Sequence, residues 1–100
     1  MRWKWRSWPS HGAHRMQVLI PSSLRSYTKA MHVEASGATL GELLADLDRR
    51  YPGLRFRMVD EQDQLRPHMR VFIDGQAIHS LAHGLRPGYG VNIVQALSGG

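Results

Sequence analysis

One hundred residues make a single-domain length, and 42% hydrophobic content is enough for one compact core. No stretch approaches the roughly 18–20 apolar residues of a membrane-spanning helix, and with no cysteine neither a disulfide nor side-chain thiol chemistry is open to the chain. The net charge of +5 is uneven: of 13 basic residues, Arg2, Lys4, Arg6 and Arg15 fall in the first 15, which hold no acid, while the remainder carries 9 basic and 8 acidic side chains.

The front end, MRWKWRSWPSHGAHR, interleaves tryptophan with cations. Arginine pairs with phosphate and tryptophan stacks on bases or sits at interfaces, so a nucleic-acid or anionic-membrane contact is one reading. The simpler one is a disordered extension over residues 1–15, with Met16 opening the folded part and as a candidate natural first residue. No apolar run of secretory-signal length follows the charges. On the simpler reading neither nucleic acid nor membrane is a partner, and the lack of cysteine agrees with a reducing, cytoplasmic setting.

MQVLIP (16–21) reads as a first strand, with Val18 and Ile20 alternating with Gln17 and Leu19, and Pro21 stopping it. A polar turn through Ser22 and Ser23 follows, and Leu24 tucks under the domain. MHVEA (31–35) is a second alternating run, with Met31, Val33 and Ala35 on one face, antiparallel to the first. Thr39-Leu-Gly-Glu42 fits a capping box, and Leu40, Leu43, Leu44 and Leu47 recur at i, i+3, i+4 and i+7, one face of a helix. Arg49 and Arg50 suit its C-terminal end, and Tyr51-Pro52-Gly53 ends it. Asp46, Asp48, Arg49 and Arg50 read as a solvated face. Residues 54–69 are less regular, with Leu54, Phe56 and Met58 as candidate core residues. DEQDQLRP (60–67) reads as a polar loop. RVFID (70–74) is a strand, Asp74-Gly75 a tight hairpin turn, and 76–78 a short return strand. Leu81 and Leu85 read as a satellite of the core, Arg86-Pro87-Gly88 as a turn, and VNIVQAL (91–97) as the last strand. It runs straight into Ser98-Gly99-Gly100.

This order predicts a mixed sheet holding one helix on a single face. The first and last strands lie side by side at its centre, and the leucine face packs on Val18, Ile20, Val71, Ile73, Val91 and Ile93. The sheet's other face is left open. Phe72 points opposite to Val71 and Ile73, so it belongs on that open face with Val94 beside it. The pair is a candidate docking surface; the plainer reading is that Phe72 packs beneath the N-terminal extension or fills a second small core.

The segments VLIP with Leu24-Arg25, ASGATLGELLADLDRRYPGL, VFIDG, Pro87-Gly88 and the terminal Gly-Gly occur in this order over about residues 17–100. Together they resemble the MoaD/ThiS family of sulfur carriers. The IPSSLRSYT opening, the long 54–70 segment and DLDRRYPGL are most like its CysO branch, whose carriers serve a cysteine synthase. One departure is that Gln95-Ala96-Leu97-Ser98 lacks the prolines common in the family just before its terminal small residues.

The resemblance implies an α+β, ubiquitin-like β-grasp fold with a sheet of four to five strands and one main helix at about 39–51. The domain would cover 16–96, followed by a flexible tail over 97–100. It further implies a carrier, not an enzyme. An E1-like adenylyltransferase of the MoeB/ThiF type uses ATP to adenylate the Gly100 carboxylate. A sulfur donor converts it to a thiocarboxylate, and an acceptor enzyme such as a cysteine synthase takes the sulfur. Gly99 keeps the tail slender, Ser98 continues it, and Leu97 is a candidate anchor at the partner's entrance. No cofactor is expected on the carrier itself; there is no GxxxxGK[ST] phosphate loop. A molybdopterin synthase small subunit, a ubiquitin-like modifier forming isopeptides, and a β-grasp interaction module with an inert Gly-Gly are the competing readings.

Other features are left structural. His79 and His83 stand four apart without an evident third ligand, so no metal site is assigned. Asp60, Glu61 and Asp63 lack calcium-ligand spacing and read as a solvated loop. Lys29 reads as surface charge.

Overall fold

Five strands form a single sheet in the computed structural model, which describes residues 15–86, 88 and 90–96. The elements in chain order are β1 (Arg15–Leu19), a 3-10 turn (Ser22–Leu24) running into α1 (Arg25–Thr28), and β2 (His32–Ser36). Then come α2 (Leu40–Arg50), α3 (Leu54–Met58), β3 (Met69–Ile73), β4 (Gln76–Ile78) and β5 (Gly90–Gln95). The strand order is β2-β1-β5-β3-β4. β1 and β5 are parallel neighbours, with Val18 opposite Val91, and the other three pairings are antiparallel. This is the mixed sheet with adjacent first and last strands that the sequence predicts.

The period-2 pattern of the strands decides which face is buried. Met16, Val18 and Ile20 face inward from β1 and the residue after it, as do Val33 and Ala35 from β2, Met69, Val71 and Ile73 from β3, and Val91 and Ile93 from β5. The α2 leucines Leu40, Leu43, Leu44 and Leu47 are fully buried and belong to the same cluster. Each contributes roughly 1.5–3 kcal/mol relative to an exposed position. Leu85 joins this core, and Leu81 packs on it partly buried. The β3–β4 turn is Asp74-Gly75, with φ values of 53° and 87° at its two central residues. Positive φ at both is what a two-residue hairpin loop of right-handed twist requires.

The start of α2 is locked from three directions. The Thr39 side chain accepts from the Glu42 amide at 3.2 Å, and the Glu42 carboxylate accepts from the Ala38 amide at 2.9 Å. The next orphan donors are met by main chain: Leu40 N–H donates to the His83 carbonyl at 3.0 Å and Gly41 N–H to the Leu81 carbonyl at 2.8 Å. The segment after β4 thus closes over the helix end. Gly37 is needed where the chain passes under α2, because a Cβ there would stand 2.5 Å from the Leu43 amide nitrogen.

Several sequence expectations are corrected. Asp46 is not on a solvated face. It is 8% exposed, and its carboxylate accepts from the Ser36 amide and Arg50 Nε, both at 2.9 Å, and from the Arg49 guanidinium. Burial alone raises the carboxyl's pKa. The Ser36 amide and the two arginines outweigh burial and hold it below its ordinary value. Asp48 is also occupied, accepting from the Gly53 and Arg55 amides at 3.1 and 3.2 Å at the start of α3. Residues 54–58 are a helical turn. Leu54 and Met58, four apart, are buried, while Phe56 between them is turned outward and 61% exposed.

Met31 precedes β2 and is 47% exposed instead of sharing the face of Val33. Arg15, assigned to the extension, is the first residue of β1, opposite Ser36, with Glu34 3.7 Å from its guanidinium. The 60–64 loop is ordered by Asp60, whose side chain accepts from the Gln62 and Gln64 amides at 2.8 and 3.0 Å. His79 and His83 lie in an irregular segment, so their spacing does not place them on one helical face. Among the described residues no group of three or more acidic or histidine side chains is arranged to hold a metal.

Candidate functional site at the end of the central strand

β5 has neighbours on both sides, β1 and β3, and it delivers the chain terminus. Because β1 runs parallel to it, Pro21, which ends β1, and the Ser22–Leu24 turn stand at the same end of the sheet as Gln95. The Ser23 hydroxyl donates to the Gln95 side-chain oxygen there. On the other side Gln95 is paired with Met69, and the Ala96 N–H donates to the His68 carbonyl at 2.7 Å. The last described residue is therefore still fastened to the sheet. Leu97, Ser98, Gly99 and Gly100, the predicted tail, lie outside the described residues, as do Arg2, Lys4, Arg6 and the three tryptophans of the front end.

Two surfaces flank this exit. The first is the open face of the sheet. Phe72 is opposite Asn92 and Arg70 is opposite Val94, which makes Phe72 and Val94 diagonal neighbours on adjacent strands. Both are half-buried and, with Leu19 of β1, line a shallow concavity of about 650 Å³. The structure thus brings together the two predicted docking residues and adds Leu19 to them.

The second surface was not legible as a site in the sequence. A hollow of about 300 Å³ beside Gln95 is lined by Leu24, Phe56, Arg57, Arg66, His68 and Met69. Arg66 stacks on Phe56 with its guanidinium carbon 4.6 Å from the ring centroid, and its Nε donates to the Phe56 carbonyl at 2.7 Å. The spacing of Leu54 and Met58 was the one signal that turns Phe56 outward. Nothing local in the sequence brings Arg66 back to it.

A mixed sheet with one main helix on one face and the chain end leaving its central strand defines the ubiquitin-like β-grasp class. The ThiS family model matches residues 18–100. The sulfur carrier protein CysO of Mycobacterium tuberculosis is 32% identical over 89 residues, covering 83% of this chain and 96% of that one. The CysO of Amycolatopsis orientalis, solved in complex with BexX, superposes with a TM-score of 0.79 at 30% identity, over 85% of this chain and 99% of its own. SAMP1 of Haloferax volcanii gives a TM-score of 0.73 at 24% identity, over 86% of this chain and 99% of its own, a likeness of fold. The chain belongs to the ThiS family. Its role is that of a sulfur carrier protein, a small carrier and not a catalyst.

Proposed function

We propose that the sulfur is carried on the main-chain carboxyl of Gly100. An E1-like adenylyltransferase attaches AMP from ATP to that carboxylate and releases pyrophosphate. A sulfide donor then forms the carbon–sulfur bond and expels AMP, leaving a C-terminal thiocarboxylate. An acceptor enzyme takes the sulfur, and a cysteine synthase is the first choice because the relatives in hand are CysO proteins. Activation is needed because a carboxylate is a poor electrophile with a poor leaving group; the mixed anhydride with AMP corrects both. The need for ATP and reduced sulfur supports a cytoplasmic setting for this chemistry.

The observation that carries the reading is the family match running through residue 100, on a domain whose central strand is complete at Gln95. Residues 96–100 extend at most about 17 Å, enough to enter a narrow active site while the globule stays outside. Glycine at 99 and 100 keeps that segment thin. Phe72 and Val94, with Leu19, are proposed to dock on the partner through the open face; the complex of the A. orientalis CysO with BexX supports docking by a carrier of this fold.

The test is intact-mass spectrometry after incubation with ATP, sulfide and the cognate E1-like enzyme. The expected result is a gain equal to the difference between a sulfur and an oxygen atom, located on the C-terminal peptide. An unchanged mass with an enzyme shown to be competent on another carrier sinks the proposal. Covalent adducts on other proteins' lysines would replace it with the modifier reading.

A further inference from the structure

The geometry points to a second contact surface: Phe56, Arg57, Arg66 and Arg70 form a basic collar around the root of the tail, which seats an acidic rim on the partner that admits it. This rests on the sulfur-carrier reading, and it starts from length. Four residues follow Ala96, and at full extension they span about 13–14 Å. A partner that performs chemistry on Gly100 must bring its entrance within that distance of Ala96. Its rim then lies against the surfaces that flank Ala96, and one of these is the hollow beside Gln95 and His68 that Phe56, Arg57 and Arg66 bound.

The charge of this surface is uncompensated among the described residues. The ion pairs of the described residues are Arg15 with Glu34, Arg49 and Arg50 with Asp46, and Arg55 with Asp63. Arg57, Arg66 and Arg70 have no carboxylate of the described residues in range. The nearby Asp63 is taken by Arg55 at 2.9 Å, Asp60 by the amides of its own loop, and Glu61 lines a separate hollow with Asp48, Gly53, Arg55 and Phe56.

Two of the three guanidinium groups are nevertheless held in place. Arg66 is fixed by the Phe56 carbonyl and ring. Arg70 donates from Nη1 to the Pro67 carbonyl at 2.6 Å and to the Met69 carbonyl at 3.2 Å. Carbonyl acceptors orient a cation without neutralising it, so little side-chain entropy remains to be lost when a carboxylate arrives. Phe56, 61% exposed, adds an apolar contact in the middle of the charges. Arg70, opposite Val94 on the sheet, joins the collar to the open face. Carboxylates of the partner complement this surface, and such rim charges act on encounter and register more than on the chemical step.

The test measures steady-state activation, read as mass gain at the C-terminus, for wild type, Arg57→Glu/Arg66→Glu, Arg57→Gln/Arg66→Gln and a control, Arg86→Glu. Arg86 is exposed, and its neighbour Leu85 is bonded to Ala38 at the opposite end of the sheet. Melting curves confirm that each variant is folded. The double reversal is expected to raise KM about tenfold or more with kcat changed less than about twofold, since only binding is touched. The glutamine pair should fall between, Arg86→Glu should match wild type, and wild-type KM should rise with salt more steeply than that of the reversal. A wild-type KM in the reversal sinks the collar alone, and a collar serving nucleic acid would give that result. An equal rise in Arg86→Glu sinks it too. Absence of any mass gain in wild type sinks the carrier reading and the collar with it.

Discussion

Asp46 sits in the run DLDRR, where neighbouring charges suggest exposure, yet three donors converge on it: the Ser36 amide and the guanidinium groups of Arg49 and Arg50. Two of these are local, at i+3 and i+4, and readable from the sequence. The third comes from the end of β2, ten residues back, and appears only once the strand is placed beside the helix. That contact ties β2 to α2, and burial makes losing it costly. Asp46→Asn should lower stability at neutral pH by about 1–3 kcal/mol, because an amide places a donor where arginine needs an acceptor.

The sign of the pH dependence follows from the depressed carboxyl. The ionised group contributes its full stabilisation above the unfolded carboxylate range, about pH 4, and loses it as pH falls through the lower folded value. Urea melts of wild type and variant should therefore differ at pH 7 and converge towards pH 3. A gap that stays constant across this range would contradict the assignment.

At the scale of elements, legibility followed length and locality. α2 was readable to within a residue at each end because its cap, its leucine spacing and its terminator all lie inside one continuous segment. α1 and α3 span four and five residues, too short for a 3.6-residue period to be told from alternation. Leu54, Phe56 and Met58 are thus alike in the sequence as candidate core residues, and only the helical turn separates exposed Phe56 from the other two. The β3–β4 hairpin was legible through Asp74-Gly75, a purely local signal. The closure of residues 79–86 over the start of α2 was not, because those bonds use main-chain carbonyls that carry no sequence signature.

That division bears on the cap. Leu81 and His83 supply acceptors for the first two helical amides whatever residue stands at 39, so the side chain of Thr39 serves only the Glu42 amide. Thr39→Ala should then cost about 1 kcal/mol, within the usual range for an N-cap, and Thr39→Ser almost nothing. Thermal melts that place Thr39→Ala several kcal/mol below wild type would mean that the 79–86 segment detaches as well.

For the whole molecule, the topology separates the folded body from the tail proposed to react. All five strands lie between Arg15 and Gln95, and every buried hydrophobic residue among those described lies between Met16 and Ile93. The core is thus closed before the tail begins, and the parallel pairing of β1 with β5 makes the penultimate stretch of chain one of the best supported. The pairing of Gln95 fixes where the described sheet ends, and on the proposed function the number of residues after it sets the reach.

Two truncations test this division together. Removing residues 1–14 leaves Arg15 and its partners in place and should shift the melting temperature by less than about 4 °C, under 1 kcal/mol for a domain of this size, with sulfur loading unchanged. Removing Gly100 should likewise spare the melting temperature but abolish productive loading, because the new terminal carboxyl at Gly99 stops about 3.5 Å short of the old one. A shift that small is decisive only if the body cannot follow the tail inward. The proposed contacts of the collar and the open face, both anchored on strands or on the helical turn that packs against the core, would prevent it. If the shortened chain were loaded as fast as the full one, the body would be seated loosely on its partner, and the register set by Gln95 would have no role in the transfer.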